Sequence, residues 1–268
     1  MTKHVDLYDS NYSNQTERVH AEIRRETYGE DIGQTSWTTA AEYERILEWL
    51  ALTADSHLLE IASGSGGPAL HVARRAGCRV TGVDINEHAV AASNAAAQRE
   101  GLAQLVTFQL SDASRPLPFA DASFDALLSV DAMNHLPNRL DVLREWRRVL
   151  RSGGRAFFTD PTVVTGLVTN DELALRSSIG TFVFAPAGLN EQLIASAGLR
   201  LVSATDLSGE GSEVAGRWRD ARARHRDELL PIEGEERFEG LQRFFTVVHT
   251  LMGERRSSRI GYVVERPA

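Results

Sequence analysis

The sequence predicts an α/β fold, a mostly parallel, doubly wound sheet with helices on both faces. Two observations carry this. Between residues 57 and 160, short apolar strands alternate with helix-length segments, the pattern of a parallel sheet covered on both sides. A glycine-rich turn, Ser63-Gly64-Ser65-Gly66-Gly67, follows the first strand, at the sheet edge where such folds bind ligands. The 268 residues fit one large domain with insertions as well as two small ones, at roughly 150 residues per domain.

The elements follow in order. Residues 1–36 are polar, with scattered tyrosines (Tyr8, Tyr12, Tyr28), and a helix is expected over 15–27. A second helix, 40–52, opens on a capping box of Thr39 and Glu42 and repeats Tyr43, Ile46, Leu47 and Leu50 at helical spacing. Residues 1–52 therefore read as an N-terminal helical arm. Strands are expected at 57–62, 79–84, 105–110, 124–130 and 155–159, with helices at 67–76, 87–100 and 138–150 between them. The last helix follows Pro137, which suits a first-turn position, and stops before Gly153-Gly154. Residues 162–187 show no period. A helix at 188–197 and a strand at 199–205 restore it, and charged helices at 212–230 and 234–254 precede a last strand at 259–264. Residues 53–268 thus form one unit of seven strands with a helical lid insertion at about 209–256.

Composition narrows the function. Apolar content of 42% and charged content of 25% exclude a disordered chain, a collagen and a coiled-coil rod. The single cysteine, Cys78, excludes an internal disulfide and a multi-cysteine zinc site, and favours a reducing compartment. No apolar run reaches the ~18–20 residues of a membrane span, and the N-terminus has no signal-peptide core, so a soluble, cytoplasmic protein is expected. The formal charge of −8 disfavours nucleic acid as a partner. Lys3 is the only lysine, which removes a P-loop lysine, a Schiff-base lysine and a Tyr-x-x-x-Lys reductase site.

The chemistry concentrates at strand ends. Gly64-x-Gly66-x-x-Ala69, with Asp84 twenty residues after Gly64, loosely fits a dinucleotide fingerprint. Three acids refine it. Glu60 precedes the glycines, where it would repel a pyrophosphate and suit a cation. Asp84 ends the second strand and can accept from both ribose hydroxyls. Asp112 ends the third and can accept from an adenine amine. Together they describe a nucleoside ligand with positive charge and no phosphate.

At these residues the sequence resembles the class I S-adenosylmethionine-dependent methyltransferases. The likeness runs through Leu58–Gly67, Val80–Asn86, Leu110–Ala113, Pro118–Pro137 and Leu150–Asp160, about half the chain. It is most specific in Leu117-Pro118-Phe119, Phe124–Ser129, His135-Leu136-Pro137 and Leu150–Arg155. A narrower likeness, at Trp37-Thr38-Thr39, is to bacterial small-molecule methyltransferases of the sarcosine/dimethylglycine and natural-product type. One departure is Ala62, where the family has glycine.

The resemblance implies a Rossmann-like sheet, S-adenosyl-L-methionine as cofactor and a small-molecule acceptor methylated on N, O or C by in-line displacement. It implies that Gly64, Gly66 and Ala62 pack the methionine part of the cofactor and Glu60 orients the loop or the amino group. Asp84 and Ile85 would take the ribose and adenine face, Asp112 and Ala113 the adenine edge. Ser129 and Val130 would lie beneath the sulfonium, and Trp37, with Gln34 and Ser36, would close over the cofactor. His135 is the expected base, with Asp131 the second catalytic candidate. Asp160 is expected to orient the substrate, and Tyr12, Tyr28, Phe182 and Phe244 to line its pocket, alongside Phe184 and Phe245. The arginines at 217, 219, 222, 224 and 226 around Trp218 read as a solvated helix face. No metal site is expected, nor a nucleic-acid or membrane partner; a homo-oligomer is left open. Two alternatives are a nicotinamide-dependent oxidoreductase and a non-catalytic cofactor-binding protein.

Overall fold

The computed structural model describes residues 18–268. In chain order the first elements are α1 (Arg18–Tyr28), α2 (Ala40–Leu50), β1 (His57–Ile61), α3 (Gly67–Ala76), β2 (Arg79–Asp84), α4 (Glu87–Arg99), β3 (Val106–Leu110) and β4 (Phe124–Ser129). After a 3-10 turn at Met133–His135 come α5 (Arg139–Val149), β5 (Leu150–Val164), α6 (Asn170–Arg176), β6 (Ala185–Pro186), α7 (Leu189–Ser196) and β7 (Arg200–Asp206). The chain ends with α8 (Ser208–Arg224), α9 (Arg226–Glu233), α10 (Glu235–Gly253) and β8 (Ser257–Glu265).

The strands form one sheet in the order β3-β2-β1-β4-β5-β8-β7. β3 to β5 run parallel; β8 is antiparallel to both its neighbours. Adjacent residues face opposite ways, so a strand buried on both sides must be apolar throughout. Leu58 packs with Tyr43, Ile46, Leu70 and Val72 on the face of α2 and α3. Leu59 packs with Leu143, Trp146 and Ile194 on the face of α5 and α7.

Several expectations change. The sheet has an eighth, two-residue strand, β6, beside β5, in the stretch whose sequence shows no period. The fifth strand is far longer than 155–159. It starts at Leu150 and passes through Gly153-Gly154, because a register shift opposite Phe124 and Ala126 absorbs the glycines. Pro137 lies outside the helix, which is capped at Asn138. The insertion holds three helices. Thr39 caps α2, accepting from the Glu42 amide, but the Glu42 carboxylate does not close the box; it bonds Arg259 instead. The arginine face is not free. Arg222 is buried and forms a two-pronged pair with Glu233 (2.9 and 2.5 Å), Arg217 donates to the Thr27 carbonyl, and Arg224 pairs with Glu26. These bonds fasten α8 to α1 and to α9.

Candidate active site

A cavity of about 660 Å³ opens at the C-terminal ends of β1, β2, β3 and β4. This is within the range of roughly 300–1,000 Å³ typical of small-molecule sites. One half is acidic. Glu60, Asp84, Asp112 and Asp131 all line it, each at or just past a strand end. The other half is aromatic and basic, lined by Phe182, Trp218, Phe244 and Phe245 with Arg176 and Arg222.

The glycine turn is built by close approach. Asp84 accepts from the Gly64 amide (2.8 Å) through one oxygen and from the Asn86 amide (2.9 Å) through the other. Ser65 Oγ donates to the Gly33 carbonyl (2.5 Å), drawing the 30–37 segment over the loop. A Cβ on Gly67 would stand 2.1 Å from the Ile32 carbonyl oxygen, and one on Gly66, at φ +75°, 2.6 Å from the Ser93 side chain. Ala62 adopts φ 56°, the left-handed region that favours glycine. The departure at this position therefore acts through backbone strain more than through loop width.

Glu60 is buried, and burial, reinforced by the nearby Asp84 charge, pushes its carboxyl up to about 8. Its Oε2 has no hydrogen-bond partner among the described residues. A buried acid with no cation beside it fits a positively charged ligand. Asp112 is held below the usual carboxylate range by hydrogen bonds from the Ser114 hydroxyl and amide. Ile85 is 70% exposed at the lip, and Ala113 and Val130 line the cavity.

His135 follows β4. Burial holds its imidazole below the ordinary value, and the Arg176 charge adds to this; the Thr181 carbonyl opposes it. That carbonyl, 3.4 Å from Nδ1, can only accept, so Nδ1 carries the proton and Nε2 the lone pair. Nε2 lies 3.2 Å from the Asn134 amide nitrogen.

Other expected site residues fall elsewhere. Tyr12 lies outside the described residues. Tyr28 is buried behind the wall; its hydroxyl donates to the Ser36 carbonyl (2.6 Å) and accepts from Trp218 Nε1 (3.2 Å). Asp160 is fully buried outside the lining, paired with Arg139 and bonded by Asn190 and Thr162. Gly66 and Ser129 also lie outside the lining, packed beneath it. Asp131 reaches the cavity, but both its oxygens are engaged by Trp37, Thr159 and Arg259. Trp37, Phe182 and Phe244 line the cavity as expected. The sequence reading missed Tyr43, Asn134 and Arg176, which also line it. Tyr43 carries a helical-period signal that marks it as core, and Arg176 sits in the aperiodic stretch. Among the described residues Glu22, His225 and Glu228 bring ligand atoms within 4.8 Å of one another, and none of them lines the cavity.

Fold and site define a protein that holds a cationic nucleoside, without phosphate, at the edge of a doubly wound sheet. Residues 59–158 match the methyltransferase domain family. Methyltransferase GfsG of Streptomyces halstedii is 36% identical over 199 residues, 72% of this chain and 69% of that one. The 27-O-demethylrifamycin SV methyltransferase of Amycolatopsis mediterranei is 32% identical, covering 70% and 73%. Phosphoethanolamine N-methyltransferase 2 of Haemonchus contortus, solved with S-adenosyl-L-methionine, shares the fold at 18% identity. Its TM-score is 0.81, over 97% of this chain and 60% of that one. The chain belongs to the S-adenosylmethionine-dependent methyltransferases and acts on a small molecule. The nicotinamide alternative has no support. No helix among the described residues is long and apolar enough to cross a membrane.

Proposed function

We propose that the chain methylates a hydroxyl of a bulky, largely apolar natural product, with His135 as the base. The observation that carries this is the imidazole itself. A neutral histidine lines the cavity with its proton fixed on Nδ1 and its Nε2 lone pair accepting from the Asn134 side-chain amide, a bond that a hydroxyl acceptor would displace to reach the base. A base is needed only when the nucleophile arrives protonated, as a hydroxyl does and a free amine need not. A relative that covers most of both chains supports the same reading, since its name refers to a 27-O position.

The cofactor, when bound, supplies a methyl group already activated on a positive sulfur. The residues of this chain do the rest. Asp84 takes the ribose hydroxyls, Asp112 and Ala113 the adenine edge, and Ile85 its face. Glu60, once ionised, balances the ammonium charge of the cofactor's methionine part. Trp37, Phe244 and Phe245 form a continuous wall, with ring centroids 5.5–6.2 Å apart, and Trp218 stacks on Phe245 at 4°. This wall and Phe182 exclude water and align the acceptor, which is most of what an in-line displacement requires. Arg176 lies over Phe182 and Phe244 at 5.0 and 5.5 Å and stiffens both rings.

The test is methyl-labelled cofactor with 27-O-demethylrifamycin SV, a set of hydroxylated polyketides, sarcosine and dimethylglycine, read by mass spectrometry. Label on oxygen of a hydroxylated acceptor is expected. Label on the amines alone overturns the reading.

A further inference from the structure

Arg259, on β8, has no solvent exposure, and the reaction does not use it. A guanidinium is costly to bury unless its donors are matched. Here the matches come from two stretches far from it in sequence, residues 38–42 and the turn after β4. Nε donates to Asp131 Oδ1 (2.8 Å), Nη1 to both Glu42 oxygens (2.8 and 3.1 Å), and Nη2 to Thr38 Oγ1 (2.6 Å). Asp131 passes the constraint on. Its Oδ1 also accepts from Thr159 Oγ1 (2.7 Å), and its Oδ2 accepts from the Trp37 amide (2.8 Å).

We propose that Arg259 is a positioning residue for cofactor binding: acting through Asp131, it fixes the Trp37 backbone over the cavity. Three features set this apart from a buried pair that only holds the fold. First, Glu42 alone would balance the charge, yet Arg259 also grips Asp131, which accepts from the amide of the cavity-lining Trp37, and Thr38, the next residue in the chain. Second, Asp131 sits at φ 52°, a backbone state that persists only where surrounding bonds impose it, and Asp131 itself lines the cavity between Val130 and Ala132. Third, the main chain of Arg259 anchors the start of the lid. Its amide donates to Ser208 Oγ (3.0 Å) and its carbonyl accepts from the Leu207 amide (2.8 Å). One residue thereby registers α2, the Trp37 segment, the turn after β4 and the head of α8 against the sheet. Lysine keeps the charge but cannot supply the fork.

The inference rests on the cofactor site and not on the acceptor, so it stands or falls separately from hydroxyl methylation. The test uses the full chain labelled with 5-fluorotryptophan, in which four tryptophans give resolvable fluorine signals, with Trp37 assigned by W37F. S-adenosylhomocysteine affinity is measured by calorimetry well below the melting temperature. Arg259→Lys is expected to shift the Trp37 signal, leave that of core Trp146 in place, and weaken affinity about tenfold. Asp131→Asn leaves one donor without an acceptor and gives the same two changes, and the double variant is no worse than the weaker-binding single variant. Wild-type affinity with an unmoved Trp37 signal, even with a lowered melting temperature, assigns Arg259 to the fold alone and overturns the proposal. Should Arg259→Lys fail to fold, Asp131→Asn decides by the same two readouts.

Discussion

Glu60 makes cofactor affinity depend on pH in a calculable way. Its carboxyl titrates at about 8 in the free protein, so at pH 7 about nine-tenths of the molecules hold it neutral. A ligand that brings its ammonium group to Glu60 binds the ionised form, and reaching that form from pH 7 costs about 1.4 kcal/mol, one pH unit of proton free energy. At pH 6 the cost is about 2.7 kcal/mol, and above pH 8.5 it vanishes. The dissociation constant for S-adenosylhomocysteine should therefore fall about tenfold per unit from pH 6 to 7.5 and then flatten. About 0.9 proton should be released on binding at pH 7, read by calorimetry in two buffers of different ionisation enthalpy. The ligand's own amine titrates nearby, so 5′-methylthioadenosine, which lacks it, is the control; it should bind with no proton release. Glu60→Gln should lose both the slope and the release. A wild-type protein that releases no proton, or a variant that keeps the slope, refutes the assignment.

Other outcomes follow from the same geometry. His135→Ala should lower kcat by about 10²- to 10⁴-fold and leave S-adenosylhomocysteine affinity within threefold. In the wild type, at saturating cofactor, kcat/KM for the acceptor should be flat near neutrality and fall as pH drops through the depressed histidine value. Gly67→Ala forces a Cβ into the Ile32 carbonyl and should displace the 30–37 segment, costing about 1–3 kcal/mol in melting experiments and most of the cofactor affinity. Arg139→Met strands the buried Asp160 carboxylate and should destabilise by about 3–5 kcal/mol in denaturant unfolding. Ala62→Gly removes left-handed strain and should raise the melting temperature or leave it unchanged, whereas Ala62→Val should lower it.

Much of this was legible because it is local. The apolar runs at 57–61, 79–84 and 124–129 could only be buried strands, and the acids ending them had to meet at one sheet edge. Glu60, Asp84 and Asp112 were found for that reason. What escaped depends on contacts far apart in sequence. Glu42 looks like the second half of a capping box, and nothing within its helix shows that Arg259, 217 residues on, claims its carboxylate. Asp131 follows β4, and Asp160 follows the strand the sequence predicts at 155–159, as a catalytic acid would; in the structure Asp160 lies within β5, and partners at 37, 139, 190 and 259 occupy the two acids. Arg222 shares a helical run with exposed arginines, and only its packing against Phe238 and Phe245 shows it faces inward. Strand β6 has two residues and no pattern to read.

The cavity divides its work along the chain. The surfaces assigned to the cofactor come from β1 to β4, the turns after them and the Trp37 segment. The opposite walls hang from residues 161–182 and from α8 and α10, spliced in near one flank of the sheet. Exchanging residues 165–256 between relatives, with Arg259 and its three partners retained, should transplant acceptor preference as a cassette. The nucleoside half would pass through the exchange unaltered, which makes this scaffold suited to recombination by block rather than residue by residue.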